Sequence, residues 1–237
     1  MSLLQSCIND NENTNSTKTC AGFVTINHSG TLLPDLCNGL TLAVSSASQS
    51  QLGMDQYERA YIIYEIPAAT TWTYGENKSI TPNIVSVCYQ KIQNIAENTD
   101  TLDDYKGSIY CFNGLEGQAY SGSTLFTTVI PGYTGYTSLY PGIYVSNGYL
   151  NLFFVNETTG DAVLKCESID QLTHTAYMKL LTKSGNYTST PCIQSYALSS
   201  SEMLDNLSPD ATDSINIVIS ANTNLTGDFS YTLRCAK

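Results

Sequence analysis

The feature that most constrains this chain is alternation. Ser214-Ile215-Asn216-Ile217-Val218-Ile219-Ser220 and Leu40-Thr41-Leu42-Ala43-Val44-Ser45 both place apolar residues at every second position. Near the C-terminus Phe229, Tyr231, Leu233 and Cys235 share one face, while Ser230, Thr232 and Arg234 share the other. Successive side chains of a strand leave it on opposite sides, so this pattern suits a half-buried strand. Further strand candidates are 22–27, 59–66, 83–89, 108–112, 124–130, 150–155, 162–166, 177–182 and 190–196. Asn147-Gly148 supplies the positive φ angles of a tight hairpin turn, and Thr158–Asp161, Lys183–Asn186 and Thr226–Asp228 read as further turns.

Helix is scarce. Lys91–Asp104 is the best candidate, with Ile92, Ile95 and Ala96 near one face, although Thr99 and Thr101 weaken it. Ser199–Leu207 is expected to make a turn or two, with Ser201 as N-cap. The expected architecture is therefore all-β. We read a single β-sandwich or β-barrel of about a dozen short, mostly antiparallel strands with one or two short helices. Residues 1–20 read as a polar lead-in and 21–237 as a single β domain.

Composition narrows the function classes. Ten Lys+Arg stand against 21 Asp+Glu, a formal net charge of −11, so a phosphate-tracking basic stripe is out of reach and no nucleic-acid partner is expected. No apolar run reaches the roughly 18–20 residues of a membrane helix, so no membrane insertion is expected. The N-terminal Met1-Ser2-Leu3-Leu4-Gln5-Ser6-Cys7 carries neither a basic nor a long apolar region and is not itself a signal peptide. We read the chain as a fragment of a longer one with an added start methionine.

Eight cysteines, at 7, 20, 37, 88, 111, 166, 192 and 235, form no Cys-x-x-Cys and lie near no His at ligand spacing, so no metal site is expected. Their even number fits four disulfides, the reading we favour over eight buried thiols that act as small apolar groups. Asn-x-Ser/Thr triplets at Asn15, Asn27, Asn77, Asn156, Asn186, Asn206 and Asn224 permit glycosylation, at little more than the frequency this Asn-, Ser- and Thr-rich composition gives by chance.

Catalytic constellations are thin. His28 and His174 both sit in polar surroundings, and Gly-x-Ser-x-Gly, His-Glu-x-x-His, Walker and Gly-x-Gly-x-x-Gly motifs are missing from the sequence. Asp103 with Asp104, Asp210 with Asp213, and Glu65 with Glu76 could supply a general acid and base, but solvated turn residues are the ordinary explanation. We expect no enzyme and no cofactor.

The most informative stretch is Pro131–Tyr149. There Tyr133, Tyr136, Tyr140, Tyr144 and Tyr149 are interleaved with Gly132, Gly135, Gly142 and Gly148. Tyrosine offers rigid contact area plus a hydroxyl, and glycine lets the backbone adapt around it, as recognition loops require. Cross-strand tyrosine packing on a half-buried sheet is the other reading. The expected contact residues are Tyr133, Tyr136, Tyr140 and Tyr144, with Trp72 as a second contact point or a core anchor.

On its size, its hairpin cadence over Gly142–Cys166 and its loop-rich Thr124–Tyr149 segment, the chain resembles the capsid spike domains of astroviruses. The resemblance implies a compact β-barrel on the virion surface that forms a homodimer and binds a host-cell receptor, a glycan or antibodies. A secreted disulfide-bonded adhesin or lectin-like glycoprotein is the alternative, with an extracellular location. A carboxylate-based glycoside hydrolase comes third.

Overall fold

The computed structural model describes residues 16–97, 102–115, 141–156, 162–183 and 190–237. The all-β expectation holds: the described secondary structure is fifteen strands, two short α-helices and two single turns of 3-10 helix. The chain forms two compact units, divided between Ile92 and Gln93.

The first unit is a six-stranded sheet of β1 (Thr17–Asn27), β2 (Thr31–Pro34), β3 (Leu40–Ala43), β4 (Arg59–Pro67), β5 (Lys78–Ile80) and β6 (Asn83–Tyr89), in the order β5-β3-β2-β1-β4-β6. β1 begins at Thr17, so the last four residues of the expected lead-in are strand. Alternation decides the core: Cys20, Val24 and Ile26 of β1 and Ala60, Ile62, Tyr64 and Ile66 of β4 point into one cluster with Leu32, Leu42 and Met54. Each fully buried Leu or Ile here contributes about 1.5–3 kcal/mol. Helix α1 (Ser46–Gln51) starts where the Ser45 hydroxyl accepts from Ser48 N at 3.2 Å. At the edge strand β6 the register shifts, with Ile63 opposite Ser86 but Tyr64 opposite Ile84, so Val85 is an extra, exposed residue.

The second unit holds β7 (Ile92–Asn94), β8 (Ile109–Phe112), β9 (Ile143–Ser146), β10 (Tyr149–Asn156), β11 (Ala162–Asp170), β12 (Thr175–Thr182), β13 (Thr190–Ala197), β14 (Ser214–Thr223) and β15 (Gly227–Ala236). The main path runs β11-β12-β14-β8-β10-β13-β7, with β15 on β14 and β9 on β10. Just past β7, Ala96 N donates to Leu164 O and Cys166 N to Ala96 O, both at 2.8 Å, which returns the sheet to β11. The result is a nearly closed, barrel-like sheet. Leu150, Leu152 and Phe154 of β10 meet Ile215, Ile217 and Ile219 of β14, Leu164, Met178, Leu180 and Tyr196 inside it. The Asn147-Gly148 turn has φ of 51° and 84°, as the hairpin between β9 and β10 requires.

Two expectations are corrected here. The helix expected over 91–104 gives way to strand β7, and Ile95 enters the barrel core. Its apolar spacing suits either state, and pairing across the barrel seam outweighs local propensity. The disulfide expectation also fails, since no disulfide joins the described cysteines. In the paired registers the strand cysteines stand opposite other residue types: Cys20 faces Tyr64, Cys88 faces Tyr61, Cys111 faces Val155, Cys166 faces Met178, Cys192 faces Phe154 and Cys235 faces Ile215. The strand expected at 124–130 and the turns expected at 158–161 and 183–186 fall wholly or largely outside the described residues.

Candidate functional site

A concavity lined by described residues lies in the second unit. It encloses about 300 Å³ between the β9–β10 turn, residues 198–205 and the paired ends of β14 and β15. Tyr149, Leu198, Leu204 and Ile215 give it apolar walls, and Asp205 and Lys237 lie at its margin. Helix α2 (Glu202–Asp205) supplies one wall, and its start is doubly fixed. The Ser201 hydroxyl accepts from Leu204 N at 3.1 Å and itself donates to the Glu97 carboxylate at 2.6 Å, which also accepts from Met203 N at 2.8 Å. A carboxylate there complements the positive end of the helix backbone. Lys237 Nζ donates to the carbonyls of Asp205 (2.7 Å) and Leu207, so the cationic head is held at the helix C-terminal end. Chemically the hollow suits a small apolar group with a polar rim, and the Lys237 ammonium and Glu97 carboxylate nearby are committed to the scaffold.

Of the acids named from the sequence, Asp210, Glu65 and Glu76 bind neighbouring groups of the scaffold. The Asp210 carboxylate accepts from the N–H groups of Thr212 (2.8 Å) and Ser214 (3.3 Å) and from the Thr212 hydroxyl (2.7 Å), and it pairs with Arg234. These bonds, the Thr212 hydroxyl foremost, hold its pKa well below the usual carboxylate range. Glu65 accepts from Asn83 at 3.1 Å and Glu76 from Thr73 N at 3.3 Å, while Asp103 and Asp104 lie exposed in a turn. His174 takes a positive φ of 50° at the tip of the β11–β12 hairpin, with Nδ1 2.9 Å from Ser208 O. Burial pushes the Cys192 and Cys235 thiols up to about 11, and it raises Cys88 and Cys166 as well, which keeps these sulfurs protonated at neutral pH. Among the described residues no three His, Cys, Asp or Glu cluster as metal ligands.

Tyr133, Tyr136 and Tyr140 lie outside the described residues. Tyr144 is 5% exposed on β9, its ring 6.4 Å from that of Phe153. Trp72 belongs to the first unit, where it packs against the core, donates from Nε1 to Glu76 O at 2.9 Å and meets the Tyr74 ring edge-on at 6.2 Å. The two described candidates thus sit in different units. Asn156, the first residue of one glycosylation triplet, is buried at the end of β10.

Sequence reasoning missed the strongest polar contact of the first unit. Arg59 donates to both Asp35 oxygens, at 2.9 and 2.5 Å, and to Thr25 Oγ1 at 2.8 Å, with both charged side chains wholly enclosed. Residues 35 and 59 are joined only by folding. The one available signal was an arginine heading the apolar run Ala60–Tyr64.

Comparison with known protein families finds no matching family model, and comparison with curated proteins finds no match. Solved structures do share the fold. A candidate toxin-related protein of Parabacteroides distasonis is 14% identical with a TM-score of 0.52, covering 92% of this chain and 93% of its own. A protein of unknown function, DUF1344, from Bacteroides vulgatus is 13% identical with a TM-score of 0.53 over 92% of each chain. A candidate lipoprotein of Bacteroides fragilis is 15% identical with a TM-score of 0.52, covering 91% of this chain and 96% of its own. These bacterial neighbours overturn the astrovirus-spike resemblance, and with it the virion location and the attachment role inferred from it. Alternation and tyrosine-rich loops are properties of many β folds, so they did not discriminate between them. The chain is similar in fold to bacterial proteins of about its own length.

Proposed function

We propose that this chain is a non-enzymatic β scaffold displayed outside the bacterial cytoplasm and held at the cell envelope by a lipid on Cys7. The observation that carries the non-enzymatic reading is the commitment of three of its acids: Asp35, Glu97 and Asp210 each hold a charge partner, a helix start or a turn. A carboxylate so bound is a poor proton shuttle. Raised thiol pKa values at Cys192 and Cys235 speak against a cysteine nucleophile at those positions.

Two observations support the location. One neighbour in fold is described as a candidate lipoprotein. Leu4-Gln5-Ser6-Cys7 sets an apolar residue, a spacer and a small residue before a cysteine, and the polar run Asn9–Asn15 follows. A small residue beside the thiol gives a processing peptidase access, and acylation of the thiol would hold the chain at a membrane surface.

The test is metabolic labelling with an alkynyl fatty acid in a Bacteroides host expressing the natural chain behind its own leader. Wild type takes up label in the membrane fraction, and Cys7→Ala neither labels nor sediments with membranes. An unlabelled wild type, or a labelled Cys7→Ala, refutes the anchor. Multiple turnover of any substrate in a glycoside and ester panel refutes the non-enzymatic reading.

A further inference from the structure

We infer that the outer edge of β15 is a docking edge for a second copy of this chain, the two β15 strands pairing antiparallel about Tyr231. The edge is unusual within this fold. β5 is only three residues long, and β6 is interrupted by the Val85 bulge, two devices that stop strands from adding to a sheet. β15 has neither. It runs ten residues in unbroken register with β14, from Thr223 opposite Gly227 to Ser214 opposite Ala236, without a proline or a lysine. Among the described residues its other edge has no strand partner.

The side chains along this edge are incompletely covered. Phe229, Tyr231, Leu233 and Cys235 pack against the barrel core yet stay partly exposed, whereas their β14 counterparts Ile215, Ile217 and Ile219 are buried. Asp228, Ser230, Thr232 and Arg234 on the opposite face are exposed. A strand laid along the edge would cover the first set and stand beside the second.

Charge selects the occupant and the register. Asp228 and Arg234 lie three residues either side of Tyr231, so a twofold axis there sets each Asp228 opposite the partner copy's arginine. The same register sets Phe229 across from Leu233 and Ser230 across from Thr232, keeping like faces together. A shift of two residues in either direction leaves Asp228 and Arg234 opposite uncharged residues. An isologous contact of this kind is self-complementary, as a closed dimer needs. Arg234 keeps 51% of its side chain exposed while bonded to Asp210, so it can face a second carboxylate.

The test is sedimentation equilibrium of the full chain from 1 to 200 µM, with circular dichroism to verify that each variant is folded. Wild type is expected to associate to twice 25.8 kDa. Ser230→Lys with Thr232→Lys sets lysines against lysines on the exposed face and should weaken association at least about tenfold. Asp228→Arg alone and Arg234→Asp alone should both stay monomeric, and an equimolar mixture should form a heterodimer in which both pairs are again complementary. A wild type monomeric at 200 µM overturns the inference. So does a double-lysine variant that dimerises like wild type, or folded Asp228→Arg and Arg234→Asp chains that fail to associate on mixing.

Discussion

Removing one half of the enclosed Arg59–Asp35 pair tests how the first unit is held together. Asp35→Ala deletes the acceptor of two Arg59 bonds and leaves a wholly buried guanidinium facing Thr25 Oγ1. Removing one partner of a buried ion pair costs about 3–5 kcal/mol, far more than an exposed pair contributes. With a urea dependence of about 1.5 kcal/mol per M for a unit of this size, the unfolding midpoint should fall by about 2–3 M. The chain has one tryptophan, Trp72, packed against the core of the same unit, so its fluorescence reports that unit selectively. Replacing both partners, Arg59→Met with Asp35→Leu, removes the stranded charge and should recover much of the loss. A fall of less than about 1 kcal/mol for Asp35→Ala would refute the reasoning, because it would mean that the guanidinium reaches water or another acceptor at little cost.

Three further outcomes are expected. Gly142→Ala should destabilise by about 3 kcal/mol in thermal unfolding, since its Cβ would lie 2.4 Å from Asn113 O; Gly148→Ala, with φ of 84° and open space around it, should cost about 1–2 kcal/mol from backbone strain alone. The lowered pKa of Asp210 means its stabilisation is complete above the unfolded-state value of about 3.9 and is lost as pH falls below it, so Asp210→Asn should flatten the acid limb of a stability–pH curve measured from pH 5 to 2. The Cys235 thiol, pushed up to about 11, should be about 0.1% thiolate at pH 8 and alkylate correspondingly slowly in the folded chain, and faster after unfolding; native-state labelling of that peptide as fast as in the unfolded chain, read by mass spectrometry, would contradict the raised pKa.

Much of the local structure was legible before folding. β6 was placed at its observed bounds, and β14 and β15 were read with the correct inward residues, because period-two alternation survives wherever a strand has one wet face. Asn147-Gly148 marked its hairpin through backbone sterics, and Ser201 marked the start of α2 through its hydroxyl. Where local and long-range demands competed, the reading failed. Ile92–Asn94 had helical spacing, yet it became β7 because the barrel needed a strand between β13 and β11. Cysteine count suggested bridges, but register placed each strand cysteine opposite a bulkier side chain.

The candidate site was less legible still. Tyr149 was noticed for its place in a tyrosine-rich run, but the apolar hollow it lines joins residues from 147 to 237. The linear order of residues fixes what is local: strand faces, turn geometry, a helix cap, and an acidic charge unsuited to nucleic acid. Tertiary structure alone decided that Arg59 meets Asp35, that Ala96 joins the barrel ends, that no disulfide joins the described cysteines, and that among the described residues β15 has no strand partner on its outer edge. The physical reason is the range of the forces involved. Backbone sterics and side-chain alternation act over a few residues, whereas register, seam closure and enclosure of charge are settled when distant strands compete for the same hydrogen bonds and the same dry space.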